Sequence, residues 1–441
     1  MTLQHHHPQL GADLPVTADL DRKATPRERR TLVATGMGNA LEWFDWGIYS
    51  AFAIYFATEI FNPEDPLSAL LGVMGVFAVG FLARPVGGWL FGWLSDNVGR
   101  RASMLSTVGL ASVGSLLIAA VPTYANAGVW AAIILLTARL LQGLAHGGEM
   151  PSAQTYIAET APAKRRGLWS SMIYVSGTIG IVAGMLMGVI LNAILPGDIM
   201  HAWGWRIPFV IGGLLGLAVM FSRSRMHETE AFAASKTGER APMFPEVRKH
   251  WRSALRVIGL GVGGTVCYYV WAVSAVQQAV VLNGMDQGAA LLANLLSNVV
   301  LIIALPFWGR FSDKFGRRAG LVIGTGVPML LFAPMQAMVS SSFLSLFIPA
   351  AVILFFMGAT LSILPAVFAE MFPTRIRTIG VAIPYAVAVA LFGGTAPYLQ
   401  TFLGARFGPA TFNIYVITLL LISTVVALTL PESKGKDLTK E

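Results

Sequence analysis

Gly92-Trp93-Leu94-Ser95-Asp96-Asn97-Val98-Gly99-Arg100-Arg101 joins one long apolar run to the next. Gly309-Arg310-Phe311-Ser312-Asp313-Lys314-Phe315-Gly316-Arg317-Arg318 does the same about half the chain later. The shared skeleton is Gly-x-x-Ser-Asp-x-x-Gly-Arg-Arg. A second pair repeats at nearly the same offset: Ala158-Glu159, Pro162 and Arg166 against Ala369-Glu370, Pro373 and Arg377. Two ordered matches at one period mark a chain built as two related halves.

Around these loops the chain is apolar. Hydrophobic residues are 55% and charged ones 12% of its 441 residues, about half the charge of a soluble domain. Runs of roughly 20 apolar residues recur, the length a helix needs to cross a bilayer. Spans are predicted near 32–57, 69–95, 102–121, 130–158, 168–193 and 204–222, then 254–281, 290–309, 319–339, 344–370, 379–402 and 409–430. This divides the chain into a polar tail (1–30) expected to be disordered, a six-helix bundle (31–222), a polar linker (223–253), a second bundle (254–430) and a short tail (431–441). With no secretory leader before it, the first span is expected to be an uncleaved anchor. His5 to His7 are read as part of the tail, and no metal site or cofactor is expected.

The net charge is +8, and its placement argues against nucleic acid. Lys and Arg concentrate in the termini and alternate loops; Arg206 and Arg406 fall on the opposite side, Arg84 and Arg139 inside spans. By the positive-inside rule the basic side, with both termini, is cytoplasmic. Cys267 is the single cysteine and lies within a span, so an intrachain disulfide is excluded.

Ionisable groups at mid-membrane are costly and therefore mark function. The fourth span carries Arg139, Gln142, His146 and Glu149 at steps of three, four and three, one helical face. The first span repeats the pattern with Asn39, Glu42, Asp45 with Trp46, and Tyr49. Two polar faces of opposite charge predict a shared aqueous cavity. A carboxylate whose Arg partner comes and goes changes its proton affinity, the minimum equipment for proton coupling. Asp45 is the first candidate, then Glu42, then Glu149; His146 is read as a hydrogen-bonded cavity residue. Arg84, ahead of Pro85, either grips a substrate carboxylate or bonds carbonyls freed near the proline. The second half offers polar aromatic and amide groups instead. Tyr268, Trp271, Ala275 and Gln278 are expected on one face of the seventh span, with Gln277, Tyr385 and, from the first half, Tyr174 as further substrate contacts. Asn294 and Asn298 add amide groups.

With twelve spans in two halves, the repeated loop resembles the signature of the major facilitator superfamily. Glu159-x6-Arg166 and Glu370-x6-Arg377 resemble its companion motif. Gly38-Asn39-Ala40-Leu41-Glu42-Trp43-Phe44-Asp45, Arg84-Pro85-Val86-Gly87-Gly88, Arg139-x-x-Gln142-Gly143 with Gly147-Gly148-Glu149, and Trp203 to Phe209 are similar to the metabolite:proton symporter family. Ala369 to Pro373 and the run Tyr385 to Tyr398 point to its α-ketoglutarate permease-like, organic acid branch. The resemblance implies an all-α polytopic membrane protein of major facilitator fold, with two pseudo-symmetric six-helix bundles, in a bacterial inner membrane. It also implies proton-coupled uptake, by alternating access, of a small organic anion or zwitterion by a monomer. α-Ketoglutarate, a hydroxy acid and an aromatic acid are the candidate substrates. Gln277 stands where that branch usually has a cation, which favours a monocarboxylate, hydroxy acid or zwitterion over a dicarboxylate.

The resemblance further implies a cytoplasmic gate. Gly92 and Gly309 would permit close helix crossing, and Gly99 and Gly316 the tight turn. Asp96 and Asp313 would meet helix N-termini. Arg100-Arg101 and Arg317-Arg318 would bridge to Glu159 and Glu370, near Arg166 and Arg377, and release as the protein opens inward. The rival readings are a proline or betaine symporter, a drug efflux antiporter and a membrane enzyme. A short C-terminal tail speaks against the osmosensing first group. The fifth span lacks a proline between Gly177 and Gly188, against the second. No nucleotide-binding loop, metal-ligand spacing or nucleophile triad supports an enzyme or an ATP-driven pump.

Overall fold

The computed structural model describes residues 26–98, 100–147, 154–155, 157–159, 161–224, 249–373, 376–436 and 438, without the side chains of 26–35, 95–97, 100–101, 222–224 and 378. Gly99 and Glu149 lie outside the described residues, as do the side chains of Asp96, Arg100 and Arg101. So do residues 1–25 of the tail and 225–248 of the linker.

With short helices at Tyr124–Ala127 and Gly197–Ala202 between them, twelve longer helical stretches follow one another among the described residues. They are α1 (Pro26–Ile60), α2 (Pro66–Asn97), α3 (Arg100–Ala120), α4 (Val129–Ala145), α5 (Arg166–Ile194) and α6 (Ile207–Ser224). Next come α7 (Trp251–Tyr268, continuing through Tyr269–Val273 into Ala275–Asn283), α8 (Gln287–Phe315) and α9 (Arg317–Met338). The last are α10 (Phe343–Leu361, continuing as Leu364–Glu370), α11 (Arg377–Ala388, through Val389–Gly393 into Ala396–Phe407) and α12 (Pro409–Thr429). Among the described residues ten helices are long and apolar enough to cross a membrane by length and composition. The other two are α1, which carries Glu42, Asp45 and Glu59 along its length, and α4, whose described helix is 17 residues.

Asp65 accepts the backbone N–H of Ser68 at 3.0 Å and Asp286 that of Ala289 at 2.8 Å. Each caps the helix that follows, α2 and α8. The packing repeats by halves: α1 lies on α5, α2 and α3 on α4, and α3 on α6. α7 lies on α11, α8 and α9 on α10, and α9 on α12 in the same way. The halves meet chiefly where α5 lies along α8 and α2 along α11, which are themselves equivalent positions. Such contact requires small residues where backbones cross in lipid. At Gly309 an added Cβ would lie 2.8 Å from the Gly167 carbonyl oxygen, so the α5–α8 crossing admits no side chain there. Gly92 is exposed and has no such neighbour among the described residues, so its expected close crossing is absent among them.

α7 departs from α-helical register. Ser274 N–H donates to Tyr269 O at 2.9 Å, a five-residue step, and Gly394 N–H does so to Val389 O at 2.9 Å in α11. Such π-turns free carbonyls that something must satisfy. Ser274 Oγ donates to Tyr269 O at 3.0 Å, Asn294 Nδ2 to Trp271 O at 2.9 Å and Asn298 Nδ2 to Ala272 O at 3.2 Å. The two asparagines of α8 are therefore bound to the backbone of the turn. The expected single face of Tyr268, Trp271, Ala275 and Gln278 is also broken, because that spacing assumed an unbroken 3.6-residue period.

Candidate functional site

Trp46 is the centre of the first half. It is buried on α1, with the Arg139 guanidinium carbon 3.9 Å and that of Arg84 4.4 Å from its ring centroid. Arg139 also lies 4.0 Å from the Tyr49 ring and Arg84 4.1 Å from the Phe81 ring. Aromatic faces hold both cations where water is excluded, each contact contributing about 0.5–2 kcal/mol. The indole N–H donates to His146 Nδ1 at 3.0 Å. That acceptor role requires a neutral imidazole with its proton on Nε2.

Asp45 faces α3. Ser115 Oγ donates to Asp45 Oδ1 at 2.9 Å, Gln142 Nε2 to Ser115 Oγ at 2.8 Å and Arg139 Nη1 to Gln142 Oε1 at 2.7 Å. Arginine can only donate, so it fixes the Gln142 amide, which fixes the serine proton, which points at a carboxylate acceptor. Arg139 thus reaches Asp45 through two side chains, and among the described residues no direct ion pair joins them. Arg84 Nη2 lies 3.5 Å from Glu42 Oε1. Both guanidiniums leave the same edge without a hydrogen-bond partner among the described residues: Nε and Nη2 of Arg84, and Nε and Nη2 of Arg139. That edge is the one that grips a carboxylate with two parallel bonds.

Beyond this cluster the space between the halves is filled by aromatic rings. Trp43 stacks on Tyr269 at 6.4 Å and meets Tyr268 edge-on at 6.0 Å. Phe81 meets Tyr269 at 5.3 Å, and the Tyr174 and Tyr385 hydroxyls lie 3.5 Å apart across the halves. Tyr269 Oη is buried without a hydrogen-bond partner among the described residues. Trp43, Phe81 and Ser115 were missed as site residues; Tyr269, one of the polar aromatic groups the second half offers, packs against Trp43 and Phe81.

Other expected contacts are placed elsewhere. Asn39 Nδ2 donates to Ile173 O at 2.8 Å and Ser176 Oγ at 3.0 Å, tying α1 to α5. Tyr49 Oη donates to Val73 O at 3.0 Å. Gln277 Nε2 donates to Ser50 O and to Ser50 Oγ, the latter at 2.8 Å, where α7 crosses α1. Gln278 accepts from Gln400 Nε2 at 2.7 Å. Trp271 is turned into the second half, edge-on to Phe332 at 6.1 Å.

At the end that carries the duplicated loops, ion pairs cross between halves. Arg166 Nη1 lies 2.9 Å from Glu370 Oε1, and Arg377 Nη1 2.8 Å from Glu159 Oε1. Asp313 accepts the backbone N–H of Gly167 at 2.8 Å and of Leu168 at 2.9 Å, in the first turn of α5. It also pairs with Arg317 Nη1 at 2.9 Å, and Arg317 Nη2 lies 3.6 Å from Glu370. Gly316 has φ +106°, the left-handed region that favours glycine. Arg318 uses its backbone N–H on Glu432 at 3.2 Å, so the bridge to Glu370 comes from Arg317 and Arg166.

Membrane-length helices in two equivalent bundles, the first holding a buried charged cluster, fit a multi-pass membrane transporter. The chain belongs to the sugar (and other) transporter family of the major facilitator superfamily, whose pattern matches residues 31–244 and 258–440. It is 34% identical over 437 residues to the alpha-ketoglutarate permease of Escherichia coli (strain K12), covering 97% of this chain and 99% of that protein. It is 30% identical to the proline/betaine transporter of Salmonella typhimurium (strain LT2), over 93% of this chain and 85% of that one. A crystal structure of a D-xylose-proton symporter superposes with a TM-score of 0.69 at 19% identity, covering 92% of this chain and 99% of that chain; this likeness is one of fold. The family and these relatives are transporters rather than enzymes.

Proposed function

We propose that the protein takes up a small organic anion together with a proton across a bacterial inner membrane. In this reading both termini and the loop end are cytoplasmic, and bundles 31–222 and 254–430 rock about the site between them. The carrying observation is the pair of buried guanidiniums over Trp46, whose Nε and Nη2 make no hydrogen bond among the described residues, Arg84 standing beside Glu42 and Arg139 wired through Gln142 and Ser115 to Asp45.

Charge balance supplies the coupling. Arg84 and Arg139 stand against Glu42 and Asp45, all buried, and His146 is neutral. One more carboxylate leaves the cluster with net negative charge in a low-dielectric setting, and one proton restores neutrality. When Arg139 turns its donors to the substrate, Gln142 and Ser115 lose the polarisation that favours ionised Asp45, and Asp45 takes the proton. The aromatic rings Trp43, Tyr268 and Tyr269 would receive the organic body. Arg166–Glu370, Arg377–Glu159 and Asp313 with Arg317 would form the cytoplasmic latch. A monocarboxylate with one proton leaves the site neutral, so a monocarboxylate or hydroxy acid is favoured over a dicarboxylate.

The aromatic surround favours a second reading, a betaine, whose quaternary ammonium suits such rings. Uptake of labelled organic acids, proline and betaine into proteoliposomes, with and without an inward proton gradient, separates the two. Gradient-driven accumulation of an organic acid is the expected result. Uptake indifferent to the gradient for every accepted substrate contradicts the symport reading.

A further inference from the structure

Between α1, α3, α4 and α6 the first half holds a cavity that the substrate site does not use. Asp45, Glu42 and His146 line it, with Thr107, Ser112 and the glycines Gly212 and Gly216. It has ≈ 40 Å³ of room for water. A water needs on the order of 10–15 Å³ of such room and two to four polar partners, both of which this cavity supplies. Its lining runs along α1 from Asp45 to Gly38 and along α6 from Gly212 to Val219, from mid-span toward the loop end. A Cβ added at Gly212 would stand 3.0 Å from Asp45 Oδ1, and one at Gly216 would run into Ser112 Oγ. Side chains at these two positions would fill the cavity from Asp45 downward.

Asp45 itself is turned toward this side. Its bonded partner is Ser115 of α3, while Trp46 engages Phe77 and Phe81 and Arg139 lies over Tyr49 and Phe77. The groups around it are Glu42 from α1, Ser115 from α3, and Arg139, Gln142 and His146 from α4, with Arg84 of α2 beyond; α6 presents its glycines. Below the site, the direct route between the halves is crossed by the Tyr174–Tyr385 contact and the Arg166–Glu370 pair.

We propose that the proton leaves Asp45 for the cytoplasm through this cavity inside the first half, while the substrate leaves between the halves. The Asp45 carboxyl gives its proton to a cavity water, which passes it along waters held by Glu42, His146 and Thr107; no other bond changes. Re-forming the Arg139–Gln142–Ser115 relay after the substrate departs favours the ionised Asp45 left behind. The inference rests on the proton-coupled reading above.

The test uses the full chain in proteoliposomes, with interior pH reported by a trapped dye. Substrate exchange, which needs no net proton movement, is measured beside substrate-driven proton entry. In Gly212→Val and Gly216→Val, proton entry is expected to fall by about tenfold or more while exchange stays within about twofold. A second route avoids a packing substitution. Thr107→Cys is labelled from the loop side with a bulky thiol reagent, the native Cys267 being buried. Labelling is expected to stop proton entry and spare exchange. Parallel loss of both activities in all three variants, or proton entry undiminished in labelled Thr107→Cys, overturns the passage. Absence of substrate-driven proton entry in the wild type overturns the symport reading instead, and the passage with it.

Discussion

Arg166 of α5 and Glu370 at the end of α10 meet at 2.9 Å across the two halves, and Arg377 and Glu159 meet at 2.8 Å in the reverse sense. Each companion motif lends its arginine to the other half's glutamate. Such pairs hold only while the halves stay together at this end. Removing one partner of a buried pair costs about 3–5 kcal/mol, because the other charge is left stranded. Glu370→Gln should therefore shift the protein strongly toward the state open at the loop end. Spin-label distances between α5 and α10 check this and are expected to lengthen; a distribution unchanged from the wild type contradicts the latch.

Asp313 sits where the first turn of α5 offers its backbone N–H groups. A carboxylate there gains about 0.3–2 kcal/mol from the helix dipole, and Asn keeps the shape without the charge. Asp313→Asn is expected to slow transport severalfold while the amount of folded transporter in the membrane stays near wild type. Equal transport per molecule would remove the charge from the account.

Arg84 lies over Phe81 with Nη2 3.5 Å from Glu42 and with Nε and Nη2 making no hydrogen bond among the described residues. Lysine keeps the charge but loses the fork and the stacking. Arg84→Lys is expected to raise KM for the anion by about tenfold or more, with a smaller change in maximal rate. Initial-rate uptake across substrate concentrations reads this, and an unchanged KM would return Arg84 to a structural role.

The chain after α12 folds back as a strap. Ser433 Oγ donates to Glu370 at 2.6 Å, Arg166 Nη1 to Lys436 O at 2.9 Å, and Leu438 packs on Ala158 and Ala369. Glu432 accepts the backbone N–H of Arg317 and Arg318 at the start of α9. Partial burial pushes the Glu432 carboxyl up, but the N–H groups of Arg317, Lys434 and Arg318 outweigh it and hold it below the ordinary glutamate value. A lowered value means the contact is fully present above the ordinary glutamate range and is lost only as pH falls through the lowered one. Labelling of a cysteine introduced at Leu438, measured relative to a free thiol at the same pH because only the thiolate reacts, should stay slow at pH 5 and rise on further acidification. In Glu432→Gln it should already be fast at pH 7.

The repeated loops made the two-half architecture legible, and the three- and four-residue spacing on α4 sets Arg139, Gln142 and His146 on one face, with Glu149 outside the described residues. The α1 stripe was legible as polar but not in its destinations. Asn39 turns to α5, Asp45 to α3 and Trp46 to the arginines, because an outward step of one helical position selects a different neighbour. Ser115 carries no signal by itself; it matters through its place between Asp45 and Gln142. The expected face of α7 failed because a π-turn needs Ser274, Asn294 and Asn298 to satisfy it, and those lie on two helices. The residues of the ion pairs between the halves were all visible, but which glutamate each arginine takes depends on the two halves lying side by side.

In the proposed account Asp45 is the residue on which proton coupling turns, and Asp45→Asn keeps its size while removing its titration. Substrate exchange and substrate-driven proton entry, measured together in proteoliposomes of wild type and this variant, test the central claim. The account predicts that the wild type moves protons with the organic anion, and that Asp45→Asn exchanges substrate while neither accumulating it on a gradient nor moving protons. Gradient-driven accumulation by Asp45→Asn at the wild-type level would contradict it.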